Sequence, residues 1–486
     1  MKNIKIKSTF LLAILWTSFL IGCKNGTSSE NTDDDQSIAR PETADIDLDS
    51  IINRGYLVAI FDNSLNSMFL YRGQPMGFEY ELVSNFASSL GVELKFKMTR
   101  SLDEGFEMLN NGMGDILAYN LTVTQKRKNI IGFTDPQHLV SQVLIQRKPK
   151  EWRKMKLHEI DRKLIKNPID MADITVHVRK ASAYASRLRN LADEIGGDIR
   201  VIEMEDMETE EIIEMVASGE IEYTVADDNI AKLHARFYPL LDVSTAVSLP
   251  QQIAWGVRNN STSLTEKINE WQAQMKRTAD FNDLYNKYFR NSRVPRDFIN
   301  SEFLSKDGNT ISPYDSLIKQ YAKTIDWDWK LLAAQISKES KFNPDAKSWV
   351  GARGLMQVMP KTAKEYGIKK LTDPNQNIKA GTIHLKWLED RWVHLSDSSE
   401  KLKFVLGSYN VGHGHVWDAV RLTEKYGGNS HSWEEVSKYL RLKSKEKYFK
   451  DPVVQYGFCR GDEPADYVID ILYRYDRYLQ LNNVEL

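Results

Sequence analysis

The sequence predicts a multidomain protein in which an α/β domain comes first and a second domain is organised around an amphipathic helix. Three observations carry this. The chain has 486 residues, more than one ordinary core accommodates, so two or three domains are expected. From Ile51 onward, short β-rich runs alternate with segments of helical period, the pattern of parallel strands joined by helical crossovers. Further on, Ile325, Trp329, Leu332 and Ile336 recur at steps of four, three and four, one stripe of a helix.

Composition narrows the class. With 65 basic against 67 acidic residues the net charge is −2, which leaves no electrostatic case for nucleic-acid binding. The 11 Trp and 21 Tyr are compatible with stacking on sugars. Lys2, Lys5 and Lys7 followed by the apolar run Phe10 to Ile21 read as a secretory signal, too short to span a membrane. Phe19-Leu20-Ile21-Gly22-Cys23 resembles a bacterial lipobox, which implies removal of residues 1–22 and acylation of Cys23. An uncleaved anchor that contains a Cys is the alternative. Cys459 is then the only thiol left, so no internal disulfide is expected. Lys24 to Ser50 carries eight acids against two bases and almost no large apolar side chains. Residues 23–50 are therefore expected as an acylated Cys with a disordered tether. No other stretch is long and apolar enough to cross a bilayer, which makes Cys23 the expected membrane attachment.

In the α/β region, Tyr56 to Ile60 is β-rich, Tyr80 to Leu90 is helical in period, Val92 to Met98 is strand-like again, and Ile116 to Ala118 follows Gly112 and Gly114. Met76-Gly77-Phe78-Glu79-Tyr80-Glu81-Leu82, Gly114-Asp115-Ile116, Thr122 to Arg127 and Phe133-Thr134-Asp135-Pro136 resemble the family 3 periplasmic solute-binding proteins. The resemblance implies a two-lobed fold over 51–290, with lobe 1 at 51–146 and 245–290, lobe 2 at 147–244, and crossings near Gln146 and Thr245. It also implies a ligand site: Arg127 to grip a carboxylate through its planar fork, Thr122 and Ser182 as the hydroxyls of the two lobes, and Asp227 for an amino group. A surface Arg in the run Lys126-Arg127-Lys128 is the plain alternative. Tyr119-Asn120 and Arg179-Lys180-Ala181 depart from the family pattern, so a different or larger anion than a free amino acid is expected. Residues 291–311 read as a connector.

On the stripe that begins at Ile325, the next position is Glu339. A carboxylate stands where a hydrophobe is due, in the last turn before Phe342-Asn343-Pro344. Partial burial and the negative helix end both raise its pKa, the condition for a general acid near neutral pH; a Glu at the helix edge reaching back to solvent is the alternative. Glu339-Ser340, Gly351-Ala352-Arg353-Gly354-Leu355-Met356-Gln357, Ser408-Tyr409-Asn410-Val411-Gly412 and Glu463-Pro464-Ala465-Asp466-Tyr467-Val468 resemble, in order, the motifs of the soluble lytic transglycosylase domain, as does Asp373-Pro374 with Asn377-Ile378 and Gly381. This implies a mainly α, lysozyme-like domain over 312–486. It also implies Glu339 as catalytic acid and base, and Ser340, Met356, Gln357, Tyr409, Asn410 and Tyr467 as substrate-binding residues. Asp345 is a weak alternative nucleophile. His413 and His415 lie in a Gly-rich stretch that reads as a solvated loop, and no metal site or cofactor is expected.

Together the two regions resemble the membrane-bound lytic murein transglycosylases of the F type. That resemblance implies cleavage of peptidoglycan glycan strands with anhydromuramic acid formation, a regulatory muropeptide or peptide ligand in the first domain, and a lipoprotein of the outer membrane facing the periplasm. A hydrolytic muramidase, or a solute-binding receptor with an inactive C-terminal domain, are the alternatives.

Overall fold

A computed structural model of the chain describes residues 43–290, 301–305 and 310–481. Cys23, the signal segment and most of the tether lie outside the described residues. The folded part begins before Ile51, however. Arg258 Nη2 donates to Ile46 O at 3.0 Å, and Asp47 Oδ1 accepts from Leu264 N at 2.8 Å. Residues 44–50 therefore belong to the first lobe, because backbone and carboxylate groups there find buried partners that composition does not reveal.

Two five-stranded sheets form the two lobes. The first runs Glu93–Met98, Tyr56–Phe61, Ile116–Leu117, Gly256–Val257, Gly132–Phe133, and its Tyr56–Phe61 strand is parallel to both neighbours. Leu57, Ala59, Ile60 and Phe61 are all fully buried, as expected of a strand covered by helices on both faces. The second sheet runs Arg200–Met204, Thr175–Arg179, Tyr223–Asp227, Gln142–Arg147, Leu241–Ala246. Gln146 and Thr245 both sit inside its strands. The chain changes lobes just outside them, next to the antiparallel ribbon of His138–Val140 with Gln251–Ile253.

The third body is helical. The Trp329–Ser340 helix packs against Asp462–Gln480, with Asp315–Ala322, Pro374–Arg391, Ser398–Val411, His413–Lys425 and Trp433–Leu442 around them. Every residue from Lys330 to Ser337 is buried, whereas Trp329 is only half-buried. The single apolar stripe thus understates this helix, since it is enclosed on nearly all sides. One covering element comes from the first lobe, the hairpin Phe69–Tyr71 with Gln74–Met76. Gln74 Nε2 donates to Ser337 Oγ at 3.2 Å, and Tyr478 OH donates to Gly73 O at 2.8 Å. The connector segment 301–305 runs along the same hairpin, with Arg72 N donating to Phe303 O and Ser305 N to Leu70 O. His413 and His415 open the His413–Lys425 helix rather than lying in a loop. The preceding Gly412, at φ +90°, lets two helices follow each other without a longer connection.

Candidate active site and ligand clamp

Glu339 lies in the last turn of its helix. Asp328 starts that helix by accepting from Lys330 N at 2.8 Å, and Lys341 and Phe342 end it with φ of +52° and +60°. Left-handed backbone costs an L-residue about 1–2 kcal/mol. Here the complete burial of Phe342 offsets it. Glu339 Oε1 accepts from Tyr467 OH at 2.5 Å. One helical turn earlier, Gln335 Nε2 donates to the same phenol oxygen at 3.3 Å, so the phenol proton is directed to the carboxylate. Burial pushes the Glu339 carboxyl up to about 7, opposed by the Tyr467 hydrogen bond and Lys338 and reinforced by Glu463. Burial also holds the Tyr467 and Tyr409 hydroxyls well above their usual range, with the charge of Glu339 adding to it.

The Gly351–Gln357 segment is tied to this helix end. Ser340 Oγ approaches Leu355 O at 2.8 Å and Ile336 O at 3.2 Å. Gly354 turns at φ +78°, and a Cβ there would stand 2.2 Å from Leu371 O. Asn377 braces the turn: Oδ1 accepts from Met356 N at 2.7 Å, and Nδ2 donates to Arg353 O and Leu371 O at 2.9 and 2.8 Å. The Met356 side chain is wholly buried against Gly381. It presents no surface to a sugar, contrary to the expectation of a cleft residue, because Gly381 leaves a pocket that the thioether fills. Its carbonyl is in use, accepting from Tyr409 OH at 2.9 Å. Gln357 is half-buried, with Nε2 donating to Gly354 O at 2.9 Å and Ala346 O at 3.1 Å. Asn410 is half-buried beside Tyr409, and Asp345 is exposed. The structure therefore gathers Glu339, Tyr467 and Tyr409, with Ser340 and Met356 acting as braces.

Between the lobes, Thr122, Arg127 and Ser182 line a shared cavity of about 50 Å³, room for only a few water molecules. Arg127 Nη1 donates to Thr122 O at 2.8 Å and Nη2 reaches Ala181 O of the other lobe at 3.3 Å. Burial lowers its pKa to about 10. Ser182 Oγ donates to Arg179 O at 2.6 Å. Asp227 stands outside the cavity lining, behind Asn120, whose Nδ2 donates to it at 2.6 Å. Burial pushes Asp227 up to about 7. Arg179 spans the lobes: Nη1 lies 2.8 Å from both Asp62 Oδ2 and Glu208 Oε2, and Nη2 donates to Arg100 O at 2.8 Å.

Residues 57–291 match the bacterial extracellular solute-binding proteins of family 3, and residues 316–432 match the transglycosylase SLT domain. The membrane-bound lytic murein transglycosylase F of Desulfosudis oleivorans is 35% identical over 88% of this chain and 90% of its own length. The chain belongs to the membrane-bound lytic murein transglycosylase F family. Its Photobacterium profundum relative of the same name is 33% identical over 87% of this chain and 80% of its own. An ancestral arginine-binding protein bound to arginine covers 49% of this chain, with 99% of that chain matched, 23% identity and a TM-score of 0.41.

Within this family frame, three residues of the geometry escaped sequence reasoning. Gln335 stands one turn before Glu339 in an apolar run, and that spacing was an available signal. Asp62 and Glu208 offer no local signal, since only the fold brings them to Arg179. Among the described residues no cluster of His, Cys, Asp and Glu is arranged to hold a metal ion, and no helix is long and apolar enough to cross a membrane.

Proposed function

We propose that the chain cuts peptidoglycan glycan strands between N-acetylmuramic acid and N-acetylglucosamine and closes a 1,6-anhydro ring on the muramic residue. The Glu339–Tyr467 pair carries this reading: a carboxyl near 7 is populated in both protonation states at neutral pH, as an acid that must become a base requires. Glu339 gives its proton to the bridging oxygen as the bond from muramic C1 breaks, and N-acetylglucosamine leaves with the electron pair. The muramic C6 oxygen then bonds to C1, and its proton returns to the Glu339 carboxylate. Between the two steps the Tyr467 phenol stabilises that carboxylate. Hydrolytic glycosidases use a second carboxylate as nucleophile or to activate water, and exposed Asp345 is poorly suited to that task. Gln357 and Asn410 hold the sugar, while Ser340 and Met356 position the loop and Tyr409. Mass spectrometry of products from purified sacculi tests this: anhydromuramic ends support it, reducing ends make the enzyme a hydrolase, and no release makes the chain a receptor.

The two-lobed domain binds a cell-wall peptide through Arg127 and regulates the helical domain. The support is physical contact: the first-lobe hairpin touches Ser337, two residues from Glu339, and a clamp has states that a ligand biases. Calorimetry with stem peptides and with Arg127→Ala, followed by turnover with and without peptide, tests both parts. Peptides that bind without altering turnover or glycan affinity would make the domain a targeting module. Acylation at Cys23 would hold the protein in the outer membrane, facing the periplasm.

A further inference from the structure

The Thr209–Ser218 and Asp228–Phe237 helices of the second lobe border a second cavity, of about 110 Å³ against about 50 Å³ at Arg127. It lies where the two lobes and the connector meet. Leu65 and Phe69 come from the first lobe, Leu304 from the connector, and Glu210, Glu214 and His234 from the second lobe. Glu210 and Glu214 are four residues apart and so share one face of their helix. The carboxylates beside them are neutralised, Glu208 by Arg179 at 2.8 Å and Glu211 by Arg100. Glu210 and Glu214 meet neutral donors instead: Leu65 N donates to the two Glu210 oxygens at 3.2 and 3.1 Å, and Tyr238 OH donates to Glu214 Oε1 at 3.3 Å. Among the described residues no Lys or Arg pairs with either. His234 is 1% exposed, and neither of its ring nitrogens has a hydrogen-bond partner. Its Nε2 lies 3.9 Å from Glu210 Oε1, too far for a hydrogen bond between them and a gap that one donor group can serve from both sides. A neutral imidazole always carries one acceptor nitrogen. The cavity therefore gathers a buried acceptor and two carboxylates that no side-chain cation neutralises.

We propose that this cavity is a binding site for a primary ammonium carried on a short apolar stem. The lining selects that occupant. An ammonium has three donors, enough for Glu210, Glu214 and a His234 nitrogen together, and its charge meets the two carboxylates. Leu65, Phe69 and Leu304 give the stem an apolar wall. The volume is room for about four water molecules, which suits a compact head better than a broad, planar guanidinium. A metal ion fits the lining less well, since among the described residues no group of His, Cys, Asp and Glu is arranged to hold one. The two cavities share Ser64, Glu208 and Glu210 as a common wall, whereas Glu214 and His234 line the second alone. The ammonium site is thus distinct from the carboxylate grip at Arg127 and does not depend on what that grip holds. Because Glu210 already reaches across from the second lobe to Leu65 of the first, an ammonium bound here touches both lobes and the connector at once.

The test is calorimetry on the full chain at neutral pH with butylammonium, and with butanol as its uncharged counterpart. Butylammonium is expected to bind, and butanol to bind at least roughly tenfold more weakly, the size of one charge-assisted hydrogen bond. Glu210→Gln keeps an acceptor for Leu65 N and Glu214→Gln one for Tyr238 OH, while each removes a charge, so each should weaken butylammonium roughly tenfold. His234→Phe keeps a ring against Tyr238 and removes the nitrogens, and should weaken it roughly fivefold. Should His234→Phe fail to fold, Glu214→Gln, at a half-buried position, decides alone. Nα-acetyl-lysine amide carries the same head on a peptide unit: affinity equal to that of butylammonium makes the natural occupant a peptide side chain, exclusion makes it a free amine, and both agree with the site. Absence of butylammonium binding, or equal affinity for butanol, overturns the proposal. A loss of affinity in Glu210→Gln with none in Glu214→Gln and His234→Phe puts the ammonium in the Arg127 cavity and overturns it as well.

Discussion

Tyr467→Phe removes one oxygen and isolates the contribution of the phenol to Glu339. In the folded chain burial raises the Glu339 carboxyl from 4.5 to about 7 even though Tyr467 donates to its Oε1 at 2.5 Å and so favours the charged form. A hydrogen bond to a charged group contributes about 1.5–3 kcal/mol, and one pKa unit corresponds to about 1.4 kcal/mol. Without the phenol, burial acts with less opposition, and Glu339 should titrate roughly one to two units higher. The acid form then persists to higher pH, whereas the carboxylate that accepts the C6 proton in the proposed mechanism is less stable. The expected profile of kcat/KM for product release from sacculi therefore has its alkaline limb moved up by roughly one to two units, with a lower plateau. Measuring release between about pH 5 and 10 for both proteins decides it. A limb that stays in place or moves down would refute the reasoning, because the phenol would then not be holding the ionised carboxylate in the working enzyme.

Glu339→Gln should abolish turnover, since the amide neither donates nor accepts the catalytic proton; general acid–base action alone is worth roughly two to four powers of ten. The same substitution should also change stability with pH. The raised carboxyl means the folded state binds its proton more tightly than the unfolded chain, so no penalty exists below 4.5, and it grows as pH rises through the window to about 7. Above that window the buried carboxylate costs about 3 kcal/mol, so the variant's thermal midpoint should exceed the parent's at pH 8 and match it at pH 4. Gly354→Ala, which forces a Cβ to 2.2 Å from Leu371 O at φ +78°, should destabilise the helical domain by at least about 2 kcal/mol in denaturant titrations; an unchanged midpoint would show that the turn relaxes freely. Cys23→Ala should move the protein from the membrane to the soluble fraction after detergent-free lysis, because no described helix offers another anchor; retention would point to an uncleaved apolar segment.

Much of the architecture is local and therefore readable along the chain. The strand Tyr56–Phe61, the helix Phe78–Ser89 and the strand Glu93–Met98 each announce themselves through the period of their own side chains. Glu339 stands out for the same reason, as a charge at the next step of the apolar stripe Ile325, Trp329, Leu332 and Ile336. The ordered motifs that follow it place the remaining polar groups in the right region of sequence without saying what each one touches.

The tertiary structure decided the partners. Tyr467 is 128 residues from Glu339, and Arg179 is 117 residues from Asp62. No period links such pairs. Lys330, Gln335 and Ser337 look like the solvent face of an amphipathic helix, yet all three are buried, because the Asp462–Gln480 helix and the hairpin of another domain close over them and supply hydrogen bonds such as Tyr467 OH and Gln74 Nε2. Met356 moved the other way, from expected cleft residue to core, through the missing side chain of Gly381. Periodicity records which residues share a face of one element. Whether that face meets water, a sugar or a distant phenol depends on packing between elements far apart in the chain, where desolvation is large enough to move a carboxyl from 4.5 to about 7.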